Sequence, residues 1–172
     1  MSNFWGALHS NTMPRDLNTD EDVLAAFYML GESVSQRMRE NGFKATTLMI
    51  SIRDNELFSC TRRMKLTRPT SLTAEIVPIA MELFKKHYRW HKPIRSLGIS
   101  GTDLVPENAV YQLRLFDDEQ RCQKFERLER TVDRIRGRFG QFALQRAVLM
   151  SERLKSINAN NDVGDAQTFY TY

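Results

Sequence analysis

Hydroxyls and cations recur at every second position through the middle of this chain. Thr47, Ser51 and Arg53 share one parity of a run interrupted only by Met49, and Ser59, Thr61, Arg63 and Lys65 share one parity of the next. On a single face of a sheet such residues bind phosphate, because hydroxyls donate to its oxygens while guanidinium and ammonium groups neutralise its charge. An exposed strand face is polar in any protein, however, and cations also keep edge strands from pairing with other chains. The residues alone leave both readings open. His9 is a candidate neighbour on the same face. Arg62 falls on the opposite parity, so its head reaches that face only through a bulge or around the sheet edge. Met49 and Ser51 stand where longer cations would grip phosphate harder, so weak affinity is expected.

A second cluster is Gln112-Leu113-Arg114-Leu115-Phe116, between Pro106 and the acids Asp117-Asp118-Glu119. An extended peptide of this composition suits docking into a partner's hydrophobic pocket, with Leu115 and Phe116 filling it and the Gln112 amide fixing orientation. Folding back as another strand would bury the same side chains, and the spacing alone favours that reading.

Catalytic patterns are missing. There is no glycine-rich phosphate loop, no nucleophile elbow and no HExxH. His87 and His91 are four apart but lack a third ligand, and Pro93 follows closely. Cys60 and Cys122 have no CxxC spacing and read as buried reduced thiols. The acids at 20–22 and 117–119 stand where helix starts favour negative charge. The reading is of a chain with no catalytic residue, no metal ligand and no cofactor of its own.

The elements that would position these residues follow from periodicity. Thr19-Asp20-Glu21-Asp22 is a helix start, Val23, Phe27, Leu30, Val34 and Met38 form one apolar stripe, and Asn41-Gly42 is a left-handed stop. From Lys44 the period changes to two, with Leu48, Ile50 and Ile52 facing inward. Asp54-Asn55 marks a turn, and LFSCTRRMKL returns as a second strand. Ile76, Ile79, Ala80, Leu83 and Phe84 form a second helical stripe in which Pro78 predicts an irregular first turn or a kink. IRSLGISGTDL and ALHSNTM supply two more strands, the latter ended by Pro14-Arg15-Asp16. The expected fold is α+β, a four-stranded antiparallel sheet with both helices on one face in the order β-α-β-β-α-β, because each helix has only one apolar stripe to bury. Beyond Pro106, Phe125, Leu128, Val132 and Ile135 predict a helix, Gly137 and Gly140 a bend, and QFALQRAVLMSERL a second helix. The end of the chain reads as a loose tail.

Composition agrees: 41% hydrophobic and 27% charged residues describe a globular protein rather than a disordered one. No apolar run approaches the roughly 18 residues of a membrane span, and no signal pattern opens the chain, so a cytoplasmic protein with no membrane partner is expected. Residues 43–105 carry eleven Lys and Arg against five acids, while residues 1–42 carry three against six. Positive charge is thus concentrated on the predicted hairpin and the elements that follow it.

The segments HSNTMPRDL, KATTLMISIRDNELFSCTRRMKLTRPT and KPIRSLGISGTDL, in that order, resemble the little-finger domain of Y-family translesion DNA polymerases, the group containing bacterial DNA polymerases IV and V. QLRLF resembles the bacterial sliding-clamp-binding pentapeptide QLxLF, matching it at Gln112, Leu113, Leu115 and Phe116. RTVDRIRGRFGQFALQRA is similar to extensions of some bacterial members. The resemblance implies a DNA-repair role within the SOS response, with duplex template-primer DNA and the sliding clamp as partners. The resemblance assigns the extension no role, and three stay open: docking on the domain, binding a regulatory protein as a further partner, or touching DNA, with docking the expectation. It also implies that the Mg2+-binding carboxylates of nucleotide transfer belong to a palm domain of a longer parent. The expected organisation is a DNA-binding domain over 1–105, an exposed clamp-binding linker over 106–117, a helical extension over 118–157 and the tail over 158–172. A ferredoxin-like adaptor whose extension binds a protein partner, without DNA binding, is the competing reading.

Overall fold

The computed structural model describes residues 7–110 and 119–150. Its order is β1 (Ala7–Leu17), α1 (Asp20–Glu40), β2 (Phe43–Asp54), β3 (Ser59–Thr70), α2 (Thr73–His87), β4 (Ile94–Pro106) and α3 (Glu119–Phe139). The strands form one antiparallel sheet in the order β1-β4-β2-β3. This is the predicted α+β arrangement, with β1 and β3 as the two edges.

Both helices form where the sequence places them. Thr19 caps α1 by accepting from the Asp22 amide, and all five residues of the expected stripe are buried. α2 is continuous through Pro78, which stands exposed in its second turn. Its start is bonded from the amides of Glu75 and Ile76 to the Leu72 carbonyl. Phe27 of α1 meets Phe84 of α2 edge to face, ring centroids 6.3 Å apart. The two helices lie on the side of the sheet that presents Leu48, Ile50, Ile52, Leu97 and Ile99, all buried. Two glycines let the layers approach. A Cβ on Gly31 would stand 2.9 Å from Val77 Cγ2, and one on Gly101 would stand 2.9 Å from both Ala45 Cβ and Met38 Sδ.

Three details depart from the sequence reading. β1 does not stop at Pro14 but runs to Leu17, with a register irregularity between Thr12 and Leu17. Proline removes a ladder donor, which an edge strand tolerates. Cys60 and Cys122 are half-buried free thiols rather than core ones. After Gly140, at φ 94°, residues 141–150 form two short 3-10 turns over 141–143 and 147–150 instead of the α-helix expected there, whose last four residues lie outside the described ones. Gly137 lies within α3, so only Gly140 makes the expected bend.

α3 packs on the domain through charge as much as through apolar contact. Arg39 of α1, nearly buried, donates from Nε and Nη2 to the two oxygens of Asp133 at 2.7 and 2.9 Å, and from Nη1 to Glu129 at 2.5 Å and the Ser71 carbonyl at 2.8 Å. Glu129 also accepts from the Thr73 amide, 3.1 Å, and the Ala74 amide, 3.4 Å. It thereby caps α2, whose own N-cap residue Leu72 supplies no side-chain bond. Lys44 pairs with Glu126, Arg130 with Glu107, and Arg136 and Arg146 with Glu32. Arg130 holds the Glu107 carboxyl below the usual glutamate range, chiefly by the hydrogen bond it donates. A cavity of about 230 Å3 remains beneath α3, and the charged groups lining it are matched against one another.

Candidate nucleic-acid interface

Cross-strand register decides which residues share the side of the sheet away from α1 and α2. One row reads Thr12, Ser96, Arg53, Ser59 across β1, β4, β2 and β3, and the next reads Ser10, Gly98, Ser51, Thr61. Two further rows join Ser100, Met49 and Arg63, and then Thr102, Thr47 and Lys65. Directly opposed residues of an antiparallel pair project to the same face. The alternation in β2 and β3 therefore brings Thr47, Ser51, Arg53, Ser59, Thr61, Arg63 and Lys65 onto one surface, as the sequence predicts. None of these rows contains a carboxylate.

Exposure grades the surface. Arg53, Ser59, Thr61, Arg63 and Lys65 are exposed and Ser51 is half-buried. Thr47 is only 8% exposed, because it sits on a central strand flanked by Thr102 and Lys65. Its hydroxyl is thus the least accessible of the set. His9 stands opposite Ile99 in the register, one position off the row of Ser10 and Gly98. Arg62 stands opposite Ile50 with no bulge beside it, since the irregularity of this pair lies between Ala45 and Thr47. It is exposed on the helix-side parity of the edge strand, where its Nη1 donates to the Thr61 carbonyl at 2.8 Å. Of the two routes open to Arg62, the bulge is absent.

Pairing separates the cations of this face from those behind it. On the helix side Arg15, Arg39, Lys44, Arg68 and Arg136 each hold a carboxylate. Among the described residues Arg53, Arg63 and Lys65 hold none. Their charge is uncompensated within the domain, so an anion meeting them breaks no existing ion pair.

Sequence reasoning missed two contributors. The polar side of β4, where Ser96 and Thr102 are half-buried and Ser100 is buried, and that of β1, with Ser10 and Thr12 exposed, widen the surface to all four strands. The alternation Ser96, Gly98, Ser100, Thr102 against Leu97 and Ile99 was the signal for the first of these. The other contributor is the β2–β3 turn, where Leu57 and Phe58 are 66% and 62% exposed. Leu57 adopts φ 70°. The buried Asp54 carboxylate organises this turn, one oxygen accepting from the amides of Glu56 and Phe58, each at 2.9 Å. No periodicity announces a leucine in a left-handed conformation.

Other candidates resolve simply. His87 ends α2 while His91 lies beyond it, its ring against Tyr88 and the Arg89 carbonyl, so the pair does not share a helix face. Among the described residues no helix is long and apolar enough to cross a membrane. Gln112, Leu113, Leu115 and Phe116 lie outside the described residues.

A helix-backed four-stranded sheet in this order, with an open polar face, is the architecture of a little-finger domain. The little finger of PolIV, solved in a "Complex of beta-clamp processivity factor and little finger domain of PolIV", superimposes with a TM-score of 0.50 at 15% identity, covering 65% of this chain and 99% of that one. A second solved structure, "Dbh Ternary Complex (substrates partially disordered)", gives 0.50 at 11% identity over 59% of this chain and 29% of that one. The profile of the impB/mucB/samB family C-terminal domain matches residues 7–115, and the chain belongs to that family. DNA polymerase IV of Acetivibrio thermocellus is 43% identical over 145 residues, 84% of this chain and 36% of the relative. DNA polymerase IV 1 of Bacillus subtilis is 33% identical over 151 residues, 86% and 36% respectively. The chain thus spans a little over a third of the length of these curated relatives.

Proposed function

We propose that this chain is the part of a translesion DNA polymerase that grips template-primer duplex through the open sheet face and tethers the enzyme to the sliding clamp through QLRLF. The observation carrying the reading is a face whose cross-strand rows carry hydroxyls with Arg53, Arg63 and Lys65 and, among the described residues of those rows, no carboxylate. Hydroxyls and cations of this kind hold a sugar-phosphate backbone without reading its sequence. That suits a polymerase which must accept any template. The contacts are few and salt-sensitive, and tethering compensates by raising the local concentration of DNA. Nucleotide transfer and its Mg2+ belong, on this proposal, to the remainder of the polymerase.

The test is duplex binding by this chain across a salt series. Replacing Arg53, Arg63 and Lys65 with Ala is expected to lower the slope of log affinity against log salt by about 2 to 3, since each lost phosphate contact removes about 0.9. An unchanged slope would remove the sheet face from the interface. Replacing Leu115 and Phe116 with Ala is expected to abolish association with a bacterial sliding clamp and leave duplex affinity intact. Retained clamp binding would exclude the pentapeptide as the tether.

A further inference from the structure

The family match ends at residue 115, and α3 lies beyond it. Its surface is sorted by charge. Lys124, Arg127, Thr131, Arg134 and Arg138 follow one another at spacings of three and four, which keeps them on one side of a helix, and all five are exposed. Glu126, Glu129 and Asp133 project from the other side and are bound by Lys44, Arg39 and Arg146. These ion pairs fix the rotation of α3, so the cationic stripe is held outward.

An ordinary solvated helix face mixes signs, with acids and cations stabilising each other at i,i+4. Repeated like charges at that spacing repel each other instead. Here the stripe holds four cations and no carboxylate. Among the described residues Arg127 donates only to the Gln123 carbonyl and Arg134 only to Thr131, and the Arg138 guanidinium lies over the Phe139 ring. From Lys124 to Arg138 the stripe is about 21 Å long at 1.5 Å per residue. A duplex presents about one phosphate charge per 1.7 Å, roughly a dozen over that length.

We propose that the outer face of α3 is a second phosphate-binding surface that takes up nucleic-acid backbone outside the stretch gripped by the sheet. α3 docks on α1 and on the start of α2, the layer on the far side of the sheet from the hydroxyl face. A duplex seated on the sheet therefore does not occupy the stripe. The inference rests on the DNA-binding reading, and its test separates the two surfaces.

The experiment uses the full chain carrying Lys124→Gln, Arg127→Gln, Arg134→Gln and Arg138→Gln, with its melting temperature compared with that of the unaltered chain. Binding is measured by fluorescence anisotropy across a salt series, on a blunt duplex and on the same duplex with a single-stranded extension. The expected result is a slope lower by about 3 and an affinity lower by at least about tenfold at 0.1 M salt, with folding unchanged. Loss on both substrates assigns the stripe to duplex, and loss only on the extended one assigns it to single strand. An unchanged slope on both overturns the proposal. If the variant with Ala at Arg53, Arg63 and Lys65 still loses affinity in that case, the sheet-face reading survives. An unaltered chain without affinity for either substrate would sink both.

Discussion

Asp54 shows how one buried residue prepares a surface it never reaches. Its carboxylate is 1% exposed and accepts from two amides of the β2–β3 turn. The turn in turn holds Leu57 at a positive φ that costs an L-residue roughly 1 to 2 kcal/mol. Charge-assisted hydrogen bonds can offset that cost, at about 1.5 to 3 kcal/mol when one partner is ionised. Asp54→Ala is therefore expected to destabilise the chain by about 2 kcal/mol in urea unfolding and to raise hydrogen exchange at Glu56 and Phe58. A loss below about 0.5 kcal/mol would mean that water replaces the carboxylate at no cost. The same residue is one cause, after burial, of the raised pKa of the Tyr88 hydroxyl.

Between elements, contact distance decides more than propensity does. Gly31 lies inside α1, where alanine would ordinarily gain about 1 kcal/mol of helix stability. Its missing Cβ, however, is what lets α2 approach, because an added methyl would stand 2.9 Å from Val77 Cγ2, on a branched side chain with little freedom to move. Overpacking of this kind costs about 1 to 3 kcal/mol, so Gly31→Ala is expected to lower stability by about 1 kcal/mol net. A stabilised variant in thermal unfolding would mean that the helices slide apart freely. This close approach is invisible in the sequence, whereas the elements themselves are not. Val23 to Met38 repeat at helical spacing, and Leu48 to Ile52 alternate, because each element has one buried side. The polar rows of the sheet were legible for the same reason, since Arg53 and Arg63 occupy the parity that hydrophobic residues leave empty. What periodicity could not convey is anything set by residues distant in the chain. The capping of α2 by Glu129 and the two short turns over 141–150 depend on what packs against them, while the left-handed Leu57 hangs on one acid, Asp54, whose role no period marks. QFALQRAVLM has helical spacing, yet the left-handed Gly140 and the Arg136 bonds to the Leu144 carbonyl turn that stretch back on α3 instead.

Across the whole molecule, charge is arranged in three zones. The sheet face is cationic and unpaired, the seam between α3 and the domain is ionic and paired, and the outer side of α3 is cationic again. The seam explains how the other two coexist, because α3 spends its acids on Arg39 and Lys44 and keeps its cations outward. Arg39 is the centre of this seam. Stranding the carboxylates of a buried pair costs about 3 to 5 kcal/mol when nothing can move. Here something can: α3 can lift and hydrate Glu129 and Asp133, so the penalty of Arg39→Met cannot greatly exceed the free energy with which α3 docks. A double-mutant cycle exploits this limit. In the full chain Arg39→Met is expected to cost about 3 kcal/mol by urea unfolding. In a chain ended after Asp118, where α3 is gone and the Arg39 guanidinium is already open to water, the same substitution is expected to cost less than about 0.5 kcal/mol, as an ordinary surface change does. Truncation removes the cap on α2 as well, worth about 1 kcal/mol, so the shortened chain starts from lower stability but keeps its sheet. Equal costs of Arg39→Met in the two backgrounds would show that the ion pairs do not hold α3 in place, and that the outward orientation of its cations has another cause.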